Sequence, residues 1–224
     1  MRRLGIWMVG ACCFVMIVGS TAAAEDWVAG EKWVYQHEGP MPWRPPDQVI
    51  AGDRVRQVIS IEGEAKDKRW LIQDKWGDND DRPGTVYVNQ DRLFDKINVG
   101  DNMIRVEPGF PFDYMNMKAG EEKTFEPRFV MSEDQSWPMK VTAKRVNDET
   151  VKVPAGEFEN CTHVKIVEKM SFEREGEKTE ITVEREHWYH PKANGLVKET
   201  FIVSMGDQPR QKATSALKSH SKGE

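Results

Sequence analysis

Apolar and polar residues alternate with a period of two along most of this 224-residue chain, and no segment sustains an apolar stripe at helical spacing. Half-buried strands alternate in this way because successive side chains leave a pleated backbone on opposite faces. Val55, Ile59 and Ile61 are expected to share one face of a strand, and Trp70, Ile72 and Trp76 one face of the next, with Gly63 to Asp67 as the loop between them. Residues 85–89 and 93–99 read as a hairpin around Gln90-Asp91, and 103–106 as a short strand stopped by Pro108-Gly109. Residues 141–146 and 150–153 flank a turn at Asn147-Asp148.

The pattern is strongest in residues 151–205. Phe158, Val164, Ile166, Met170 and Phe172 occupy even positions of one long strand, with Glu157, Glu159, His163, Lys165 and Lys169 at odd ones. The returning strand alternates oppositely, with Ile181, Val183 and Tyr189 apolar. A two-residue turn at Glu175-Gly176 would pair Phe172 with Thr179, Met170 with Ile181 and Val164 with His187, placing both apolar sets on one face. A second hairpin around Pro191 to Gly195 leads to Val197, Phe201, Val203 and Met205 on that face. The fold class is therefore mainly β: an antiparallel curved sheet, a half-barrel or open barrel, with little helix.

Two loops interrupt the pattern. Gly39 to Pro46 holds four prolines in eight residues and is expected to be a stiff surface excursion. Residues 110–115 (Phe-Pro-Phe-Asp-Tyr-Met) can either cover a ligand as a lid or plug an open sheet edge, and plugging is the simpler role. Gly30-Glu-Lys-Trp33 and Gly120-Glu-Glu-Lys123 begin alike, a match too short to establish duplication. Residues 208–224 are polar and lack alternation, so a disordered tail is expected there, leaving 25–207 as a single β domain.

The first 24 residues have the form of a secretory signal: Arg2 and Arg3, an apolar run over 4–19, and Ala22-Ala23-Ala24 as a cleavage pattern. The run is short for a membrane span, and Cys12 lies inside it rather than after it, which argues against lipid attachment. A periplasmic or secreted bacterial location follows, with no transmembrane span once the signal is removed. The signal carries two of the 32 basic residues and none of the 37 acidic, so the remainder has 30 and 37, a net charge of −7. Such a domain repels phosphate backbones, so nucleic acid is not an expected partner. Cys161 is left alone and cannot form an internal disulfide.

Val153-Pro-Ala-Gly-Glu-Phe158 followed by Tyr189-His-Pro-Lys-Ala-Asn-Gly-Leu-Val-Lys198 resembles a bacterial family of secreted β-sheet proteins of unknown function, and Gly30 to Tyr35 looks like that family's first strand. Such domains are similar to the half-barrels of periplasmic lipoprotein carriers, in which a curved sheet shelters an apolar face. The resemblance covers about a quarter of the chain beyond residue 24 and supplies no catalytic residues.

Candidate chemistry is sparse. No nucleophile elbow, phosphate-cradling glycine loop or zinc-protease helix is present, so an enzyme is not expected. Asp74 and Asp78 to Asp81 lack the ligand spacing of a calcium loop and read as a solvated turn. Cys161, His163 and His190 could approach one another across the hairpin, but no fourth ligand is evident and no metal or cofactor is expected. Arg185, His187 and Glu199 fall among Val164, Ile166 and Phe201 on the apolar face. Charges in an apolar row imply either an internal salt bridge or rim charges that reach water by snorkelling, the simpler readings, or a polar anchor at the back of a ligand cleft. A ligand site, if present, would comprise Arg185, His187, Glu199, Val164 and Phe201. Two functions remain: a carrier for a lipid or other amphiphile, and an envelope module with a filled core that docks a partner protein.

Overall fold

The computed structural model describes residues 25–40, 52–77, 83–100, 102–132, 135–174, 177–206 and 210–223. Among the described residues are fourteen antiparallel strands: β1 (Lys32–Glu38), β2 (Gly52–Glu62), β3 (Arg69–Trp76), β4 (Gly84–Asn89), β5 (Leu93–Val99), β6 (Asn102–Pro111), β7 (Glu122–Phe125), β8 (Arg128–Val130), β9 (Ser136–Arg145), β10 (Glu149–Val153), β11 (Gly156–Arg174), β12 (Glu177–His190), β13 (Gly195–Met205) and β14 (Gln211–Ser221). Twelve of them form a ring in the order β11-β12-β13-β14-β1-β2-β3-β4-β5-β6-β8-β9. The ring closes because Met139 to Arg145 of β9 pair with Val164 to Met170 of β11. The mainly-β antiparallel expectation holds, and the sheet goes further than a half-barrel by closing on itself. Closure satisfies strand edges that an open sheet would leave bare.

The long hairpin has the register expected of it, with Val164 opposite His187, Met170 opposite Ile181 and Phe172 opposite Thr179. β11 is longer than its ring partner, so its first residues pair instead with β10, Val151 lying opposite Phe158. The turn after β10 reaches β14, where the Ala155 N–H donates to the Leu217 carbonyl at 2.9 Å.

Aromatic side chains stopper the same end of the barrel. The Trp27 ring packs against Trp33, Trp70 and Phe112 at centroid distances of 6.5, 5.6 and 5.4 Å. Each indole finds a carbonyl: Trp27 donates to Asn194, Trp33 to Ala193 (2.7 Å) and Trp70 to Trp27 (2.9 Å). The Tyr-x-Pro-x-x-Gly hairpin is thus a packing device. Ala193, Asn194 and Gly195 are buried under tryptophans, and Asn194 takes the left-handed conformation (φ 44°) that ends the 3-10 turn Pro191–Ala193. Fully buried Glu31 ties in both termini, accepting from Asn194 Nδ2 at 3.1 Å and meeting His220 Nε2 at 2.9 Å. Burial alone would raise its carboxyl, but these partners hold it below its ordinary value.

Phe110, Tyr114 and Met117 are buried in the main core, with Phe112 and Met115 packed against it, so this aromatic segment plugs the barrel. The two similar starts share one turn: Glu31 Oε2 accepts the Val28 N–H as Glu121 Oε2 accepts that of Lys118, with Gly30 and Gly120 at φ 83° and 75°.

Four expectations need correction. The tail is not disordered over its length: Gln211–Ser221 is a strand bonded to both β1 and β13. Its inward residues are Ala213, Ser215 and Leu217, too small and too polar to make the alternation visible. β6 is not stopped at Pro108-Gly109, because after Glu107 it leaves β8 and continues along β5 to Pro111. On β2 the buried positions are Arg54 and Val58 rather than Val55, Ile59 and Ile61, a register shift falling between Val58 and Ser60. Asp74 sits inside an ion-pair network rather than in a solvated turn. The proline-rich stretch beyond Pro40 and the acidic residues 78–81 lie outside the described residues.

If β14 closes the ring, removing residues 211–224 should abolish the cooperative thermal transition and the near-ultraviolet circular dichroism of the tryptophans. An unchanged transition would show the segment to be dispensable.

Candidate functional site

Six strand pairs, β1/β2, β3/β4, β5/β6, β8/β9, β11/β12 and β13/β14, are joined at the end of the barrel opposite the tryptophan stopper, called here the loop end. Between the two ends, the inward faces of β2, β3, β11, β12 and β13 carry charges. Register explains their meeting. Arg56 lies opposite Asp74, Glu168 opposite Val183, Ile166 opposite Arg185, and His187 opposite both Val164 and Glu199.

Glu199 is the centre of this layer. Its Oε1 accepts from Arg185 Nη1 at 2.7 Å and lies 3.0 Å from His187 Nε2, while Oε2 accepts from Arg54 Nη1 at 2.7 Å. An ionised carboxylate requires a donor from the imidazole, which sets the proton on Nε2 and leaves Nδ1 to accept from the Tyr189 hydroxyl at 2.7 Å. Arg54 also donates to Asp74, as does Arg56, and Arg185 Nε donates to Glu168 at 3.1 Å. Three arginines thus face three carboxylates, so these charges balance.

Burial opposes charge on Glu199, but Arg54, His187 and Arg185 outweigh it and hold the carboxyl well below its usual range. Burial likewise opposes charge on Asp74, and Arg54 and Arg56 bring it down to about 2. Burial pushes the Tyr35, Tyr114 and Tyr189 phenols upward, so all three stay protonated. Arg54 is held over the Trp76 ring at 4.3 Å and Arg56 over Phe112 at 4.9 Å, so the aromatic plug supports the layer from beneath.

The layer is not uniformly sealed. The Glu199 side chain is 4 % exposed, whereas those of Arg56 and Asp74 are 16 % and 21 % exposed although both point inward. Apolar residues also line the inward face. Val86, Ile97 and Ile104 align across three strands, and Met170, Ile181 and Met205 across three others. All six are only half-buried, whereas inward residues nearer the stopper, such as Val88, Val106 and Val141, are fully buried. Val86 lies opposite Ile72, one inward step from Asp74 toward the stopper, and on the loop side of Arg185 and Glu199 the buried Val183 and Phe201 pack with the half-buried Ile181 and Val203.

Of the five residues expected to form a ligand site, Arg185, His187 and Glu199 are brought into direct contact. Val164 and Phe201 are buried beside them, and Phe201 lies under the Arg185 guanidinium at 5.5 Å. These two belong to the packing around the layer rather than to accessible surface. Sequence reasoning missed Arg54, Arg56, Asp74 and Glu168. A surplus of charges on strands otherwise apolar on one face was the available signal. The suggested Cys161–His163–His190 grouping does not form a metal centre, since no cluster of ligating side chains occurs among the described residues. Cys161 is fully buried, its thiol pushed up to about 11 by desolvation, and His163 stacks on Trp188 at 4.5 Å. Both are covered because β10 and the start of β11 leave the ring wall.

No family model and no curated protein matches the chain. Among solved structures it is similar to a protein of Bacteroides fragilis assigned as exported with a YMCC-like fold, at 17 % identity and a TM-score of 0.47, covering 88 % of this chain and 97 % of that one. It is also similar to a protein of Parabacteroides distasonis assigned as a lipoprotein, at 15 % identity and a TM-score of 0.46, covering 87 % and 96 %. At these values the likeness says nothing about function. No helix among the described residues is long and apolar enough to cross a membrane.

Replacing Glu199 by Ala would leave the Arg54 and Arg185 guanidinium groups facing each other in a low-dielectric interior, a loss of about 3–5 kcal/mol. A drop in melting temperature of roughly 10 °C or more is expected, and no change would place the pair in free contact with water. Because Glu199 and Asp74 titrate below their ordinary values of 4.5 and 3.8, their stabilisation is complete above those values and is lost as the pH falls through their folded-state values. Denaturation midpoints should therefore fall steeply below about pH 4 in the parent. In Glu199→Ala that slope should be shallower, and an equal slope in both would contradict the assignment.

Proposed function

We propose that the protein is a non-catalytic carrier of the bacterial cell envelope that holds an amphiphilic molecule inside its barrel. The head group would meet the charged layer at Arg56 and Asp74, and the apolar part would lie against the half-buried lining toward the loop end. The observation that carries this reading is a row of half-buried inward apolar side chains, Met170, Ile181 and Met205, on the loop side of inward charges that themselves keep some exposure. Inward apolar side chains that retain exposure forgo the stabilisation of full burial, roughly 25 cal/mol for each Å², and an apolar ligand would recover it.

A binding rather than catalytic role is supported by how the charges are used. Glu199 is engaged by three side chains and Asp74 by two, so neither is a free base. The signal-like first 24 residues support the location.

Protein exported from a bacterial host should carry a co-purifying lipid-like molecule in native mass spectrometry, and after extraction its tryptophan fluorescence should be quenched by spin-labelled fatty acyl probes. Met170→Glu and Ile181→Glu, at half-buried positions, should weaken that binding by about tenfold or more while the melting temperature changes little. Absence of both a bound molecule and quenching would defeat this reading in favour of a filled-core module that acts through its outer surface.

A further inference from the structure

The ring wall has a seam between β6 and β7, and it lies away from the charged layer. β6 pairs with β8 only as far as Glu107 opposite Arg128, then follows β5, with Phe110 opposite Phe94. Prolines explain the parting: Pro108 and Pro111 on β6 and Pro127 before β8 have no N–H to donate across the gap. β7 is left on the far side of that gap with β9 as its one strand partner among the described residues.

The direction of its free groups follows from register. The Arg145 N–H donates to the Glu121 carbonyl at 2.9 Å and the Met139 N–H to the Pro127 carbonyl at 2.8 Å. Hydrogen-bonding positions alternate along an antiparallel pair, so Lys123 and Phe125 also turn their backbone groups toward β9. The N–H and C=O groups of Glu122 and Thr124 therefore point into the gap, and both residues are exposed. Beside them lies a groove of about 500 Å³ whose walls include Leu93, Pro111, Tyr114, Met117 and Phe125.

We propose that this edge receives an extended peptide segment of a partner protein as an added strand. Unpaired main-chain donors and acceptors in alternation are matched by another main chain at strand spacing, roughly 4.8 Å away, which neither a lipid nor a sugar supplies. The charges along the groove are largely spent on each other, Arg92 on Asp113 at 2.8 Å and Lys123 on Glu121 at 3.1 Å, leaving Asp91. The segment is therefore uncharged in its middle, places alternate apolar side chains against Tyr114, Met117 and Phe125, and favours a basic residue near Asp91. The site is separate from the interior one, and its test reads backbone amides rather than tryptophan quenching.

Randomised decapeptides displayed on phage and selected against the protein should yield alternating apolar sequences. A selected peptide, synthesised, should shift the amide resonances of Glu122 and Thr124 and slow their hydrogen exchange. Thr124→Pro, which deletes one edge N–H, should weaken binding by about tenfold. N-methylation of alternate peptide residues should do the same without touching the protein, which separates lost pairing from lost folding. Failure to select any peptide, binding indifferent to N-methylation, or shifts confined to other strands would overturn the proposal. Concentration-dependent shifts of the same amides without peptide would give the edge to a second copy of this chain and overturn it equally.

Discussion

The Glu199 carboxylate is the constraint around which the inside of this barrel is organised. Two strands, β2 and β12, bring Arg54, Arg185 and His187 to its two oxygens, and two of these donors reach onward to Asp74 and Glu168. Charges buried at this depth are tolerated only when partners replace the water they have lost. Each residue therefore fixes the rotamer of the next, and β2, β3, β11, β12 and β13 are held in one register relative to one another. A slip of one residue in any of them would turn its charges out of the barrel and leave the others unpaired.

That layer divides two kinds of interior. Toward the stopper, tryptophans bonded to the Pro191–Gly195 hairpin and the aromatic plug that follows β6 form a buried core. Toward the loop end, the inward apolar side chains include partly accessible ones. A closed ring of twelve strands is wide, and on the loop side of the layer buried Val183 and Phe201 are accompanied by half-buried Met170, Ile181 and Met205. The same closure leaves few exposed edges, which is why the parting of β6 and β7 at three prolines stands out on the outer wall.

Much of the C-terminal sheet was legible from alternation because its hairpin turn is short and its apolar face nearly unbroken. The pairing of Val164 with His187 and of Met170 with Ile181 follows from counting across residues 175 and 176. Arg185, His187 and Glu199 were visible because they break that face. Their partners were not. Arg54 and Arg56 look like solvent-facing residues on β2, and the inward alternation there runs through Arg54, Arg56 and Val58 rather than through Val55 and Ile59. β14 was hidden because small and hydroxyl side chains face its pairing layer, His37 meeting Ser215 at 3.0 Å. Ring closure through β9 and β11 is a contact between distant segments that no local pattern announces.

Whether an acyl chain lies inside the barrel can be observed directly. Crystals grown with a bromine-labelled fatty acyl amphiphile would locate the acyl chain through the anomalous signal of the halogen. The expected result is a bromine position enclosed by inward side chains including Met170 and Ile181, with the head group beside Arg56 and Asp74. Bromine found only on the outer wall, with the inward side chains closed over one another, would contradict it.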